Sequence, residues 1–139
     1  MKLKELVNVK RGLVARAEEQ GEIRYLRLAD FNEEGQLQPG NERFLGDQPE
    51  EKYLLKAGDI LMSILGPRYF ALEFAEEEGK FIPNHFFNIL NLKTDRFTSR
   101  EIVEYLNSQP VQEELDSMTE GESIRTVPTK SLKDLRVKM

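Results

Sequence analysis

Apolar residues recur at two spacings along this chain, and the change between them divides it. From Leu3 to Leu92 they come in short runs or at about every second position, which is the strand period. From Ile102 onward they come three and four residues apart, which is the helix period. The most continuous run is Ile60 to Leu65, entered through the polar turn Lys56-Ala57-Gly58-Asp59 and closed by Gly66-Pro67. A run of that length between turn residues predicts a strand buried on both faces. Pro67 has no N–H to give a ladder, so the strand ends at or before Gly66.

Other elements follow from the same pattern. Leu3, Leu6 and Val7 share a helical face, predicting a short helix or turn before a brief strand at Asn8 to Lys10. Arg11 to Gly21 is polar and reads as loop or weak helical turn. Glu22 to Phe31 alternates, predicting a strand with one wet face. Asn32-Glu33-Glu34-Gly35 is a turn, and the stretch to Glu51 is a long loop with one short strand at most. Tyr53-Leu54-Leu55 reads as a short strand. Tyr69 to Ala75 reads as the hairpin partner of Ile60 to Leu65, with further strands at Phe81-Ile82-Pro83 and Phe86 to Leu92. Thr98 and Glu101 form a capping-box pair that starts a helix over Ser99 to Ser108. Pro110 suits the first turn of a second helix carrying Val111, Leu115 and Met118, ended by Gly121. Lys130 to Leu135 is a helical turn and Arg136-Val137-Lys138 a last short strand. The faces Ile102/Val103/Leu106 and Val111/Leu115/Met118 are read as core. The pattern predicts a mixed α+β fold: a twisted, mainly antiparallel sheet with two C-terminal helices.

Length and composition set limits. The 139 residues suit one domain over 1–139, and 39% hydrophobic residues suffice for a core. There is no cysteine, hence no disulfide, thiol nucleophile or thiolate metal site. No run reaches the roughly 20 apolar residues of a membrane helix, and Met1-Lys2-Leu3-Lys4-Glu5 lacks a signal-peptide core. A cytoplasmic location is expected. The net charge of −5, from 20 basic and 25 acidic residues, runs against the basic excess usual in nucleic-acid binders. A local basic face on an acidic protein escapes that argument.

Five segments in order resemble the target recognition domain of Type I restriction-modification specificity (S) subunits. Lys2-Leu3-Lys4-Glu5-Leu6-Val7-Asn8-Val9-Lys10-Arg11-Gly12 resembles the family's opening, and Ile23 to Phe31 its alternating strand. Leu55 to Gly66 is close to "L-K-x-G-D-I-L-x-S-x-x-G", the most specific of the set. Tyr105-Leu106-Asn107-Ser108 is similar to its "Y-L-N-S" helix. Gly121 to Val127, followed by Ser131-Leu132-Lys133-Asp134-Leu135, resembles its closing segment. The resemblance implies a non-catalytic α/β module that reads one half of a bipartite DNA target. It implies double-stranded DNA and DNA methyltransferase subunits as partners, restriction subunits as further ones, and no cofactor; a homodimer stays open. One recognition domain is expected, its last residue Met139 lying where a family member continues into a spacer helix. The other reading is a protein-interaction module on the same fold with no DNA affinity.

DNA reading needs cations for phosphate and Arg, Asn or Gln for base edges. The candidates are Lys10, Arg11, Arg16, Arg43, Arg68, Asn84, His85, Arg125 and Lys130, with Tyr69 for stacking or a phosphate bond. Arg68 leads, because a rigid strand end would aim it. A basic face of Arg11, Arg16, Arg68 and Arg125 would favour DNA; arginines paired to glutamates would favour a protein partner. His85, the single histidine, is expected to be partly buried and hydrogen-bonded; a base contact from its loop stays open. One histidine without cysteine gives no zinc pattern. Asp59 with Glu78-Gly79-Lys80 mimics the carboxylates and lysine of a magnesium-dependent nuclease. Such spacing arises readily in a chain that is 32% charged. Asp59 is better read as a turn former and Glu78-Gly79-Lys80 as a hairpin tip.

Overall fold

In a computed structural model, which describes residues 1–66 and 68–139, the core strand is β4 (Ile60–Ser63), buried along its length. It pairs antiparallel with β5 (Ala71–Glu73), Met62 opposite Ala71, and with β7 (Phe87–Leu92), Ser63 opposite Phe87. β7 pairs in turn with β1 (Val7–Arg11), Arg11 opposite Asn88, giving a four-stranded sheet of order β1-β7-β4-β5. The strand ends before Gly66 as expected; Pro67 itself lies outside the described residues.

Both faces of this sheet are covered, which is why β4 runs Ile-Leu-Met without alternation; β7 inserts Asn88 and Asn91 among its apolar residues. Ile60, Met62, Ile64 and Leu90 pack with helices α1 (Ser99–Leu106), α2 (Gln109–Ser117) and α3 (Thr129–Lys133) through Ile102, Leu106, Val111, Leu115 and Leu132. Leu61, Phe87 and Ile89 pack on the other side with Leu26, Leu55 and Phe74. There Phe31, Phe70 and Phe87 meet at centroid separations of 5.5 to 6.0 Å, in tilted and edge-to-face pairs. Beyond them lies a second sheet of order β3-β2-β6, from β2 (Ile23–Leu26), β3 (Phe44–Leu45) and β6 (Phe81–Pro83). β2 and β6 run parallel, Tyr25 opposite Ile82.

The expected α+β class, the β4–β5 hairpin and the C-terminal helices are present. Thr98 Oγ1 accepts from the Glu101 amide, and the Glu101 carboxylate accepts from the Thr98 amide, completing the capping box. The single sheet is corrected to two. The strand read over Glu22 to Phe31 stops at Leu26, because Asp30 turns back on it. Its buried carboxylate accepts from the Arg27 amide at 2.8 Å and faces the Arg27 and Arg24 guanidinium groups at 3.1 and 3.7 Å. A 3₁₀ turn over Leu28–Asp30 results. Glu51–Tyr53 is likewise a 3₁₀ turn where a strand was expected nearby, and Arg136 forms only a single bridge, to Lys2. Among the described residues no helix is long and apolar enough to cross a membrane.

Candidate nucleic-acid interface

The antiparallel register brings the ends of β1 and β4 to the same end of the sheet as the starts of β5 and β7. Four candidates therefore lie at this end, Arg11 on one outer strand and Arg68 just ahead of the other. Arg11 closes β1, and its Nε donates to the His85 carbonyl. His85 stacks on Phe86 at 4.4 Å in the turn before β7. Arg68 is exposed just ahead of β5, its carbonyl accepting from Ser63 Oγ at 3.2 Å. Arg125 is exposed on the loop after α2, which is fastened to the end of β4: Gly66 donates to the Arg125 carbonyl and Val127 to that of Ile64, at 3.3 and 2.9 Å. Among the described residues none of Arg11, Arg68 and Arg125 is ion-paired to a carboxylate.

The other candidates are placed differently. Arg16 pairs with Glu18 at 3.7 Å and lines a separate recess with Arg43, beside the second sheet. Lys10 points away to the Lys52 carbonyl at 2.6 Å, and Lys130 is exposed on α3. Asn84 is buried, and its Oδ1 accepts from the Phe86 amide at 3.0 Å, so it forms the turn that carries His85. His85 is half-buried as expected, but its buried Nδ1 has no hydrogen-bond partner among the described residues.

Tyr69 departs furthest from the sequence reading. It is 0% exposed, and its hydroxyl donates to Asp116 Oδ1 at 2.7 Å. Burial, then the Asp116 hydrogen bond and charge, push its pKa up to about 12. Tyr69 is thus corrected from contact to support: as placed, it offers no surface to a partner. It stays buried because α2 holds the chain on both sides of it. Gln112 brackets the Tyr69 backbone, its Oε1 accepting from the amide at 3.1 Å and its Nε2 donating to the carbonyl at 2.9 Å. Asn107 does the same to Ala71, both bonds at 2.8 Å. Two side-chain amides thereby stand in for a neighbouring strand on the open edge of β5, next to Arg68. Asn107 lies in the Tyr-Leu-Asn-Ser segment, so sequence pointed at it; nothing in the sequence marks Gln112 or Asp116 as its collaborators.

The nuclease-like residues are engaged in turns. Asp59 Oδ2 accepts from the Lys56 amide and Oδ1 from Asn91 Nδ2, at 2.9 and 2.8 Å, while Glu78 accepts from the Ala57 amide at 2.9 Å. Asp59 is a turn former, as its position before β4 implies. Among the described residues no group of three acidic or histidine side chains is placed to hold a metal ion.

Solved structures share this architecture. The Type I restriction-modification S subunit from M. genitalium superposes with a TM-score of 0.64 at 16% identity, covering 97% of this chain and 32% of that one. The HsdS subunit from Thermoanaerobacter tengcongensis gives 0.67 at 17% identity, covering 97% and 31%. The fold is that of part of a Type I S subunit. The chain spans about a third of the length of those subunits. No family model and no curated protein matches the sequence. In the S-subunit-like fold Arg11, Arg68 and Arg125 lie at one end of the central sheet, with helices and second sheet as scaffold.

Proposed function

We propose that residues 1–139 form one cytoplasmic recognition unit that binds double-stranded DNA in a sequence-specific manner and performs no chemistry itself. It would act by delivering DNA methyltransferase and restriction subunits to a half-site. The observation that carries this reading is the placement of Arg11, Arg68 and Arg125 at one end of the central sheet, on a fold shared with Type I S subunits. Arg11, Arg68 and Arg125 are exposed and form no salt bridge to a carboxylate among the described residues, so they are cations available to a polyanion on a chain of net charge −5. Arg68, on a backbone held by Gln112, has the rigidity that base reading needs.

The test is duplex-DNA binding against salt with a randomised pool. An enriched half-site is expected, with affinity falling as salt rises by a log–log slope of about −0.9 per phosphate contact. Arg68→Ala is expected to weaken the enriched site by about 1–3 kcal/mol if it reads a base, or to reduce the slope by about 1 if it holds a phosphate. Binding that is flat at low salt, with no enriched sequence, refutes the reading. A second reading, a protein-interaction module, draws on Glu113 and Asp116, which share a recess with Arg68. It predicts partner binding with no DNA affinity at any salt.

A further inference from the structure

On the second-sheet side of β5 lies a recess of about 200 Å³, lined by Phe31, Leu37, Leu72 and Phe74 and by the exposed Glu73 and Glu76. Glu73 closes β5, at the end of that strand away from Arg68. Phe31, Leu37 and Leu72 are half-buried, so the core offers apolar surface here. One wall is a braced turn. Asn32 Oδ1 accepts from the amides of Glu34 and Gln36 at 3.0 and 2.9 Å, and the Gly35 amide donates to the Asn32 carbonyl at 3.0 Å. Gly35 has φ +76°, and a Cβ there would lie 3.1 Å from the Phe70 ring, so the turn rests on the core. The surroundings are acidic. Glu33 and Glu34 stand exposed on the same turn, and Glu77 follows Glu76. Among the described residues none of Glu33, Glu34, Glu73, Glu76 and Glu77 is ion-paired. No lysine or arginine lines the recess. The Arg27 guanidinium, one residue from Leu26 in its wall, is committed to Asp30 and the Asn41 carbonyl at 3.1 and 2.7 Å. Lys56, in the turn that bonds Phe74 through Gly58, and Lys80, after the acidic stretch, do not line it, and the glutamates outnumber them.

We propose that this recess docks a lysine- or arginine-rich segment of a protein partner, one leucine-sized side chain entering against Phe31, Leu37 and Leu72 while flanking cations pair with Glu73, Glu76 and the Glu33-Glu34 turn. The occupant is chosen on charge and on size. Unpaired carboxylates of this density repel a phosphate backbone and attract cations, and the volume admits one large apolar side chain. The buried anchor supplies most of the affinity, and the charged rim fixes orientation and speeds encounter. This surface is separate from the arginine end of the sheet and does not depend on that end binding DNA.

The probe is a short labelled peptide with a central leucine and lysine flanks, titrated into the 139-residue chain and followed by fluorescence anisotropy and amide NMR shifts. Replacing its leucine by serine is expected to weaken binding about tenfold, the worth of partly burying one leucine side chain. Glu73→Gln and Glu76→Gln are each expected to cost about threefold at low salt, an effect that fades as salt rises. The shifted amides are expected to centre on Gly35, Leu72 and Ala75 and to spare Arg11 and Arg125. Ala75→Phe adds a ring at an exposed lining position and is expected to block the peptide. An unchanged melting temperature verifies that it is folded, and the two glutamine variants carry the test if it is not. Equal binding of the serine-centred peptide, equal binding of one with glutamate flanks, shifts centred elsewhere, or no binding overturns the docking site and leaves the DNA reading standing. Peptide capture intact in a chain that fails to bind duplex DNA supports the docking site and refutes the DNA reading alone.

Discussion

Removing one oxygen, in Tyr69→Phe, tests the reassignment of Tyr69 from DNA contact to internal support. The hydroxyl is wholly buried and donates to a carboxylate, Asp116, at 2.7 Å. A hydrogen bond to a charged group contributes about 1.5–3 kcal/mol, and Asp116 is exposed enough to regain water, so the lower end applies at neutral pH. With an unfolding entropy of about 2.1 cal/mol/K per residue, 1.5 kcal/mol lowers the melting temperature of this chain by about 5 °C. The pH dependence is more specific. The phenol's pKa is raised from about 10 to about 12 on folding. A raised pKa means the stability it reports is full below pH 10 and is lost as pH climbs from 10 through 12. By pH 11 the loss is about 1.4 kcal/mol, since only the unfolded phenol has largely ionised. Tyr69→Phe has no such group to titrate. The gap between wild type and variant, followed by urea unfolding from pH 8 to 11, is expected to close from about 1.5 kcal/mol towards zero. Lysines and the other tyrosines titrate equally in both proteins and cancel. A gap that stays constant across this range, or a variant as stable as wild type at pH 7, refutes the buried Tyr69–Asp116 pair and reopens Tyr69 as a surface residue.

Two further substitutions test the supports around the site. Asn107→Ala removes both bonds to the Ala71 backbone; a loss of about 2–3 kcal/mol, read as a melting-temperature drop of about 7–10 °C, is expected, with Arg68-dependent DNA affinity falling along with it. Asp30→Ala leaves the Arg24 and Arg27 guanidinium groups without their buried carboxylate. Denaturant unfolding should show a cost of about 3–5 kcal/mol, whereas a loss under 1 kcal/mol would mean that the turn after β2 is held by other contacts.

Much of this architecture is written in local pattern. The unbroken apolar run at Ile60 to Leu65, the Thr98/Glu101 cap and the Asp59 turn are each specified by neighbours a few residues apart, where period and turn chemistry act. The edges of that legibility are physical too. Alternation over Glu22 to Phe31 continues past the real strand end, because Asp30 finds two arginines and a buried place, and a carboxylate bonding its own backbone outcompetes the ladder.

What sequence determined by itself is the buried strand at Ile60, the two helices near the C-terminal end, the absence of cysteine chemistry, and the set of cations available to meet a polyanion. Only the tertiary structure decided which strands share a sheet, with β2 and β6 brought side by side across more than fifty residues, and which cations lie at the same end of it. Strand choice and side-chain partners are settled by packing between residues remote in the chain, and no local period encodes them. Thus Arg11, Arg68 and Arg125 come to one end of the central sheet while Arg16 pairs with Glu18 elsewhere, and Tyr69, beside Arg68 in sequence, turns inward because Asp116 and Gln112 wait there.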